Sequence, residues 1–206
     1  MASSNVDRLR TYVQQMTRLT DIGGDEARML DEGREMLAAL VAEDDWLPDV
    51  FAEPHAEHFQ QYLLYCDPLE RFSVVSFVWG PGQKTPIHDH TIWGLVGQLR
   101  GAERETTFDR AEDGSLTRMG EGVLRPGEVT AVSPTIGDIH VVANDMVDQP
   151  SVSIHVYGAN IGAVARHAFV PETGEAKDFV SGYSSTVVPN LWDRSGTVCA
   201  ALSEGS

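Results

Sequence analysis

The chain has 206 residues, 42% of them apolar and 22% charged, with a formal net charge of −16. That length suits a single domain with a substantial core, and the acidity excludes the basic surface that nucleic acid or an anionic membrane would require. No apolar run approaches a membrane span, no basic-then-apolar leader follows Met1, and Cys66 and Cys199 sit in no metal-binding spacing, so the chain reads as a cytoplasmic protein with two thiols.

Residues about 4–45 read as two helices. Ser4-Asn5-Val6-Asp7 fits a capping box, and Val6, Leu9, Val13, Met16 and Leu19 recur on one face. Gly23-Gly24 interrupts the pattern and Asp25 can cap a second helix carrying Met29, Leu30, Met36, Leu37, Leu40 and Val41. These are packing helices without chemistry of their own. A further helical stretch before residue 59 would carry His55 and His58 at the surface.

From Phe59 the grammar changes to short β-branched and aromatic runs broken by Gly, Pro and Asp. Strands are predicted over 72–79, 91–99, 103–108, 115–119, 128–132, 139–142, 151–157, 165–170 and 176–180. Many short strands with close turns, and no alternating helices, specify a sandwich or barrel. The barrel with its C-terminal extension spans about 59–192, Pro189-Asn190-Leu191-Trp192 is expected to pack back on it, and 196–206 are expected to be loosely ordered.

Two histidine clusters interrupt this pattern. In Thr85-Pro86-Ile87-His88-Asp89-His90, an extended backbone would project His88 and His90 to one face. His140, in Gly137-Asp138-Ile139-His140, can reach the same point from a partner strand. Three imidazoles suit iron, zinc, copper or nickel better than the hard cations. Gly82 with His88, His90 and Gly101 fits the pattern G(x)5HxH…G. Pro134, Gly137, His140 and Asn144 fit P…G(x)2H(x)3N, one residue loose. These are the two cupin motifs, so a mainly β fold is expected: an antiparallel jelly-roll barrel with N-terminal packing helices. The glutamate that usually follows the HxH pair as a fourth ligand is absent, because Gly94 and Leu95 stand there. Glu103 and Glu105 lie too far along the chain to replace it.

The segment Ser153-Ile154-His155-Val156-Tyr157 is the third constellation. With period two, Ser153, His155 and Tyr157 share one face and Val152, Ile154 and Val156 the other. If both faces are buried, the polar one must be hydrogen-bonded. A Ser153–His155–Tyr157 relay would do this through the two ring nitrogens.

His88, His90, His140, the missing glutamate and this relay together resemble the thiol dioxygenases, the family of cysteine dioxygenase and its bacterial 3-mercaptopropionate relatives. The resemblance runs from about Gln60 to Trp192. It implies Fe(II) held by His88, His90 and His140, with both atoms of O2 transferred to the sulfur of a small thiol carboxylate to give a sulfinate. It implies Tyr157 beside the reacting atoms, positioned by His155 and Ser153. Two departures point to the bacterial 3-mercaptopropionate type. The cysteine that the mammalian type crosslinks to the tyrosine is replaced by Gly94, so no thioether is expected. The mammalian carboxylate-binding arginine is replaced by the Gln60-Gln61 region, while Arg166 stands where the bacterial type places an arginine. Carboxylate recognition therefore falls to Arg166 with Gln60 or Gln61. His167 would point away from Arg166, and Trp93 would wall the pocket or fill the core. Cysteine or mercaptosuccinate as substrate, and a cupin isomerase or metal-holding protein without turnover, are the alternatives. The assembly is expected to be a monomer or homodimer.

Overall fold

The structure, a computed structural model, describes residues 6–23, 25–185 and 193–204. Two helices open the chain, α1 (Asp7–Ile22) and α2 (Glu26–Val41). Tyr12, Met16 and Leu19 are the buried stripe of α1. Val6 stands at its exposed edge, and Ser4 of the expected capping box lies outside the described residues. Asp25 caps α2, its carboxylate accepting from the Arg28 N–H at 3.0 Å.

Eleven strands follow: β1 (Gln60–Cys66), β2 (Ser73–Trp79), β3 (Ile87–His88), β4 (Gly94–Arg100), β5 (Glu103–Arg110), β6 (Leu116–Leu124), β7 (Val129–Val132), β8 (Ile139–Asn144), β9 (Ser151–Tyr157), β10 (Arg166–Phe169) and β11 (Ala176–Phe179). One sheet has the order β1-β2-β9-β4-β7 and the other β11-β10-β3-β8-β5-β6. All their pairings are antiparallel. The strands from β2 to β9 divide between the sheets, four to each, which is the arrangement of a double-sheet jelly roll. The expected architecture, mainly β with packing helices outside, is the one observed.

The helices cover the outer face of the first sheet. α2 lies so close to β4 that a Cβ on Gly97 would stand 3.0 Å from both Leu37 and Val41. Val152, Ile154 and Val156 of β9 join Leu37, Leu40, Val41 and Trp46 in this outer core. With those residues turned outward, the alternate residues of β9 face the barrel interior, and all seven are buried.

Four expectations differ from the structure or fall outside it. No helix forms around His55 and His58, which are exposed. β6 continues through Gly120 and Gly122 because both pair with β5, opposite Thr107 and Glu105, with one register shift at Met119. Residues 196–206 are expected to be loosely ordered, but a third helix, α3 (Ser195–Glu204), forms beside the 3-10 turn Ile161–Ala163. Pro189-Asn190-Leu191-Trp192 lies outside the described residues. Among the described residues no helix is long and apolar enough to cross a membrane.

Candidate metal centre and its pocket

His88 and His140 are direct cross-strand partners, on β3 and β8. His90 reaches them by another route than the expected strand alternation, since β3 ends at His88. Asp138 turns the chain instead. One of its oxygens accepts the backbone N–H groups of His90 (3.0 Å) and Thr91 (2.9 Å), and the other meets His90 Nδ1 at 3.0 Å. Thr91 is held at φ 60°, a left-handed conformation that a β-branched residue rarely adopts. The result is three buried imidazoles whose ligand atoms lie within 4.8 Å of one another.

The outer nitrogen of each ring is already engaged. His88 Nδ1 donates to the Pro86 carbonyl at 3.1 Å, and His140 Nδ1 meets Glu105 Oε1 at 2.6 Å. With Asp138 on His90, all three Nδ1 atoms face acceptors, which leaves the Nε2 lone pairs for an ion. Burial, then the neighbouring His140 ring, holds His88 and His90 well below the ordinary histidine range and hence neutral. Neutral, pre-oriented nitrogens of this kind fit a borderline divalent metal such as iron. Glu105 therefore acts on the far side of His140 and supplies no fourth ligand. The exclusion of Glu105 as a ligand agrees with the structure, whereas Asp138 is not singled out by the sequence reading, although the Gly-Asp-x-His spacing is a signal for it.

On β9 the relay is a continuous hydrogen-bonded row: Ser153 Oγ to His155 Nε2 at 2.8 Å, and His155 Nδ1 to Tyr157 Oη at 2.8 Å. Burial holds His155 well below the ordinary histidine range, and the neighbouring His140 and Arg166 push the same way. Burial also raises the Tyr157 phenol above its ordinary range, with Arg166 opposing. The Tyr157 ring stacks near His90, with centroids 5.5 Å apart.

Arg166 opens β10 and is 4% exposed. Its Nη2 donates to Ser181 Oγ at 2.7 Å, and its guanidinium lies 4.7 Å over the Phe179 ring. Nε has no partner, and among the described residues no carboxylate forms an ion pair with Arg166. Of the two candidate glutamines, Gln61 belongs to this group, donating to Ser181 Oγ (3.1 Å) and the Gly182 carbonyl (3.0 Å). Gln60 is turned away toward the carbonyls of His58 and Phe59. Ser181, absent from the sequence reading, joins Gln61 to Arg166.

The three histidines, His155, Tyr157, Arg166, Gln61 and Ser181 line one cavity of about 60 Å³, walled by Phe59, Phe77, Trp79 and Phe179. Trp93 packs on Gly158 in the helix-side core, so it fills the core and does not wall the pocket. His167, beside Arg166, bonds Asp89 at 2.7 Å, away from the cavity.

A jelly roll whose interior gathers three buried histidines at one point has the form of a cupin with a candidate metal site. More narrowly, the chain belongs to the cysteine dioxygenase type I family, whose sequence pattern matches residues 1–171. It is similar to cysteine dioxygenase type 1 of Rattus norvegicus, 32% identical over 107 residues, covering 50% of this chain and 52% of the relative. The Homo sapiens protein gives the same figures, 32% over 107 residues, 50% and 52%. The Danio rerio protein is 26% identical over 130 residues, covering 61% and 59%. The chain thus spans about half the length of the curated relatives it matches. Among solved structures, a cupin superfamily protein from Desulfitobacterium hafniense is similar with TM-score 0.42 and 18% identity, over 57% of this chain and 93% of that one. A protein from Thermus thermophilus gives TM-score 0.40 and 22% identity over 54% and 92%. The strand order, not these likenesses, carries the fold.

Proposed function

We propose that this protein is an Fe(II)- and O2-dependent thiol dioxygenase that converts a small thiol carboxylate, 3-mercaptopropionate or a close analogue, to its sulfinate. The observation that carries the reading is Arg166. A buried guanidinium without an acidic partner is costly, and this one faces the cavity that the three histidines enter. A substrate carboxylate supplies the missing charge, and the planar fork can bind it through two hydrogen bonds. Ser181 and Gln61 hold that fork in place.

The overall change is R–S⁻ + O2 → R–SO2⁻: sulfur forms two S–O bonds and is oxidised by four electrons, while O2 is reduced and its O–O bond breaks. Fe(II) held by His88, His90 and His140 would supply the redox partner that O2 needs to react with a thiolate. The chain's own groups do the rest. Arg166 anchors the far end of the substrate and fixes its distance from the histidines. The aromatic wall excludes water and strengthens the charge interactions inside. Tyr157, hydrogen-bonded to His155, holds a proton at the cavity edge where negative charge arrives.

The substrate follows from what lines the cavity. The volume, about 60 Å³, admits only a few heavy atoms. The matched relatives are named cysteine dioxygenases, which favours cysteine as a second reading. An α-ammonium would however meet no carboxylate, since among the described residues neither Asp nor Glu lines the cavity. Mercaptosuccinate would bring a second carboxylate to a cavity in which Arg166 is the one cationic side chain among the described residues.

The test is a thiol panel on the Fe(II)-reconstituted protein, following O2 uptake and sulfinate formation. The highest kcat/KM is expected for 3-mercaptopropionate. A clear preference for cysteine or mercaptosuccinate would overturn the substrate. Zinc or manganese in the purified protein, with no O2 uptake on any thiol, would overturn the reaction in favour of a cupin isomerase or binding protein.

A further inference from the structure

A buried carboxyl stands behind the hydrogen-bonded row on β9. It belongs to Glu103, the first residue of β5 and only 2% exposed. Ser153 is the cross-strand partner of Gln98, whose Nε2 donates to Glu103 Oε1 at 3.3 Å, and Ser153 Oγ also accepts from Trp79 Nε1 at 3.5 Å. The other carboxyl oxygen, Oε2, is buried and has no partner. Around it stand Ser151 and Ser153 from β9, Gln98 from β4, Asn144 opposite on β8 and Leu124 opposite on β6. Asn144 spends its amide on the Trp79 and Gln149 carbonyls. The ionisable groups nearby are Tyr157, which feels a charge on Glu103, and Glu105 and His140, which share with it a second cavity of about 180 Å³. No cation pairs with Glu103 among the described residues. A buried carboxyl in this setting resists ionisation: burial pushes Glu103 up to about 7, although the Ser153, Gln98 and Ser151 dipoles pull it down.

We infer that Glu103 is the proton-holding terminus of the Ser153–His155–Tyr157 row, and that its protonation sets which way the Tyr157 hydroxyl points. Donors and acceptors must alternate along such a row. When Glu103 carries its proton, it donates to Ser153 Oγ, Ser153 donates to His155 Nε2, and His155 Nδ1–H donates to Tyr157. The tyrosine O–H is then free to donate into the cavity. When Glu103 is ionised, Ser153 donates to the carboxylate, His155 Nε2–H donates to Ser153, and Tyr157 O–H is drawn to His155 Nδ1. The two states differ by one proton at Glu103 and by the His155 tautomer. Glu103 is thus a positioning residue acting through three others. Its effect on turnover rests on the dioxygenase reading; the polarity of the row does not.

The test has two arms on the iron-loaded protein. Infrared difference spectra of wild type against Glu103→Gln, from about pH 5 to about pH 9, should show a protonated carboxyl band that the substitution removes and that disappears in wild type near neutrality. The pH profile of O2 uptake with 3-mercaptopropionate should fall through the same break in wild type and stay flat in Glu103→Gln, whose amide donates to Ser153 as the protonated carboxyl does, with KM little changed. An infrared titration identical in the two proteins would overturn the proposal whatever the activity. A pH break retained unchanged in the variant would overturn it too. If Glu103→Gln fails to fold, wild type labelled with carbon-13 at the glutamate carboxyls serves, and finding no protonated glutamate at pH near 6 overturns it. Absence of turnover on every thiol, with the infrared titration as expected, would instead count against the dioxygenase reading alone.

Discussion

Gly94 lies flat against the ring of Tyr157. A Cβ at Gly94 would stand 2.8 Å from Tyr157 Cδ1 and 2.9 Å from Cε1, with Val132 at 3.0 Å on its other side. The phenol is tethered by His155 at its hydroxyl and buried throughout, so its ring has little room to retreat. Gly94→Ala should displace the hydroxyl and cut turnover by about 10²-fold while the metal content stays at the wild-type level. Metal analysis alongside O2 uptake checks this, and wild-type turnover in Gly94→Ala would show that the position of the phenol does not matter.

Arg166→Met separates binding from stability. Loss of a charged hydrogen-bonding partner should weaken substrate binding by about 1.5–3 kcal/mol, roughly a 10- to 100-fold rise in KM. The same change removes a buried charge that burial already disfavours, so the melting temperature should hold or rise. A large fall in melting temperature with unchanged KM would mark Arg166 as structural only.

Glu105→Gln bears on the metal. Glu105 meets the outer nitrogen of His140 at 2.6 Å. A neutral amide there should lower metal affinity about 10- to 100-fold, measured by competition with a chelator, and leave substrate KM near wild type once the protein is loaded.

The strand pattern from residue 72 onward made the jelly roll legible, because turn residues punctuate nearly every strand. The β9 segment was legible to the residue: an apolar face and a polar face on one buried strand leave few arrangements. The convergence of His88 and His90 was anticipated for the wrong reason. Strand alternation was the natural explanation, but Asp138, 48 residues from His90, does the turning. Contacts of that kind leave no local trace. Ser181 was invisible for the same reason, as its partners Gln61 and Arg166 lie 120 and 15 residues away. Glu105 is rightly excluded as a metal ligand by its distance along the chain, but nothing in the sequence says that it meets the outer nitrogen of His140. The choice between Gln60 and Gln61 was a matter of register, which only the pairing of β1 with β2 decides.

Glu103 also makes a stability prediction. Its folded-state value, about 7, is raised above the ordinary 4.5. Between those values the unfolded chain ionises while the folded one keeps its proton, so the wild type loses stability as pH rises from about 4.5 to about 7 and then levels off. Glu103→Gln cannot ionise and should lack this loss. Relative to wild type it should gain on the order of 2 kcal/mol between pH near 5 and pH near 8, read from urea unfolding at the two pH values. A pH-independent difference between the two proteins would mean that Glu103 does not titrate as described.

Tyr157→Phe deletes the hydroxyl and leaves the ring stacked near His90. Iron binding should persist, with turnover lower by about 10²-fold or O2 uptake uncoupled from sulfinate formation. Loss of iron in this variant would contradict the role assigned to the hydroxyl.

The central claim is that the three-histidine site inserts both atoms of one O2 into the sulfur of a small thiol carboxylate. Mass spectrometry of the product formed from 3-mercaptopropionate under isotopically heavy O2, by the Fe(II)-loaded protein, tests it most directly. The expected product is a sulfinate in which both oxygens on sulfur carry the label. A sulfinate with one label, or a disulfide as the only product, would contradict it.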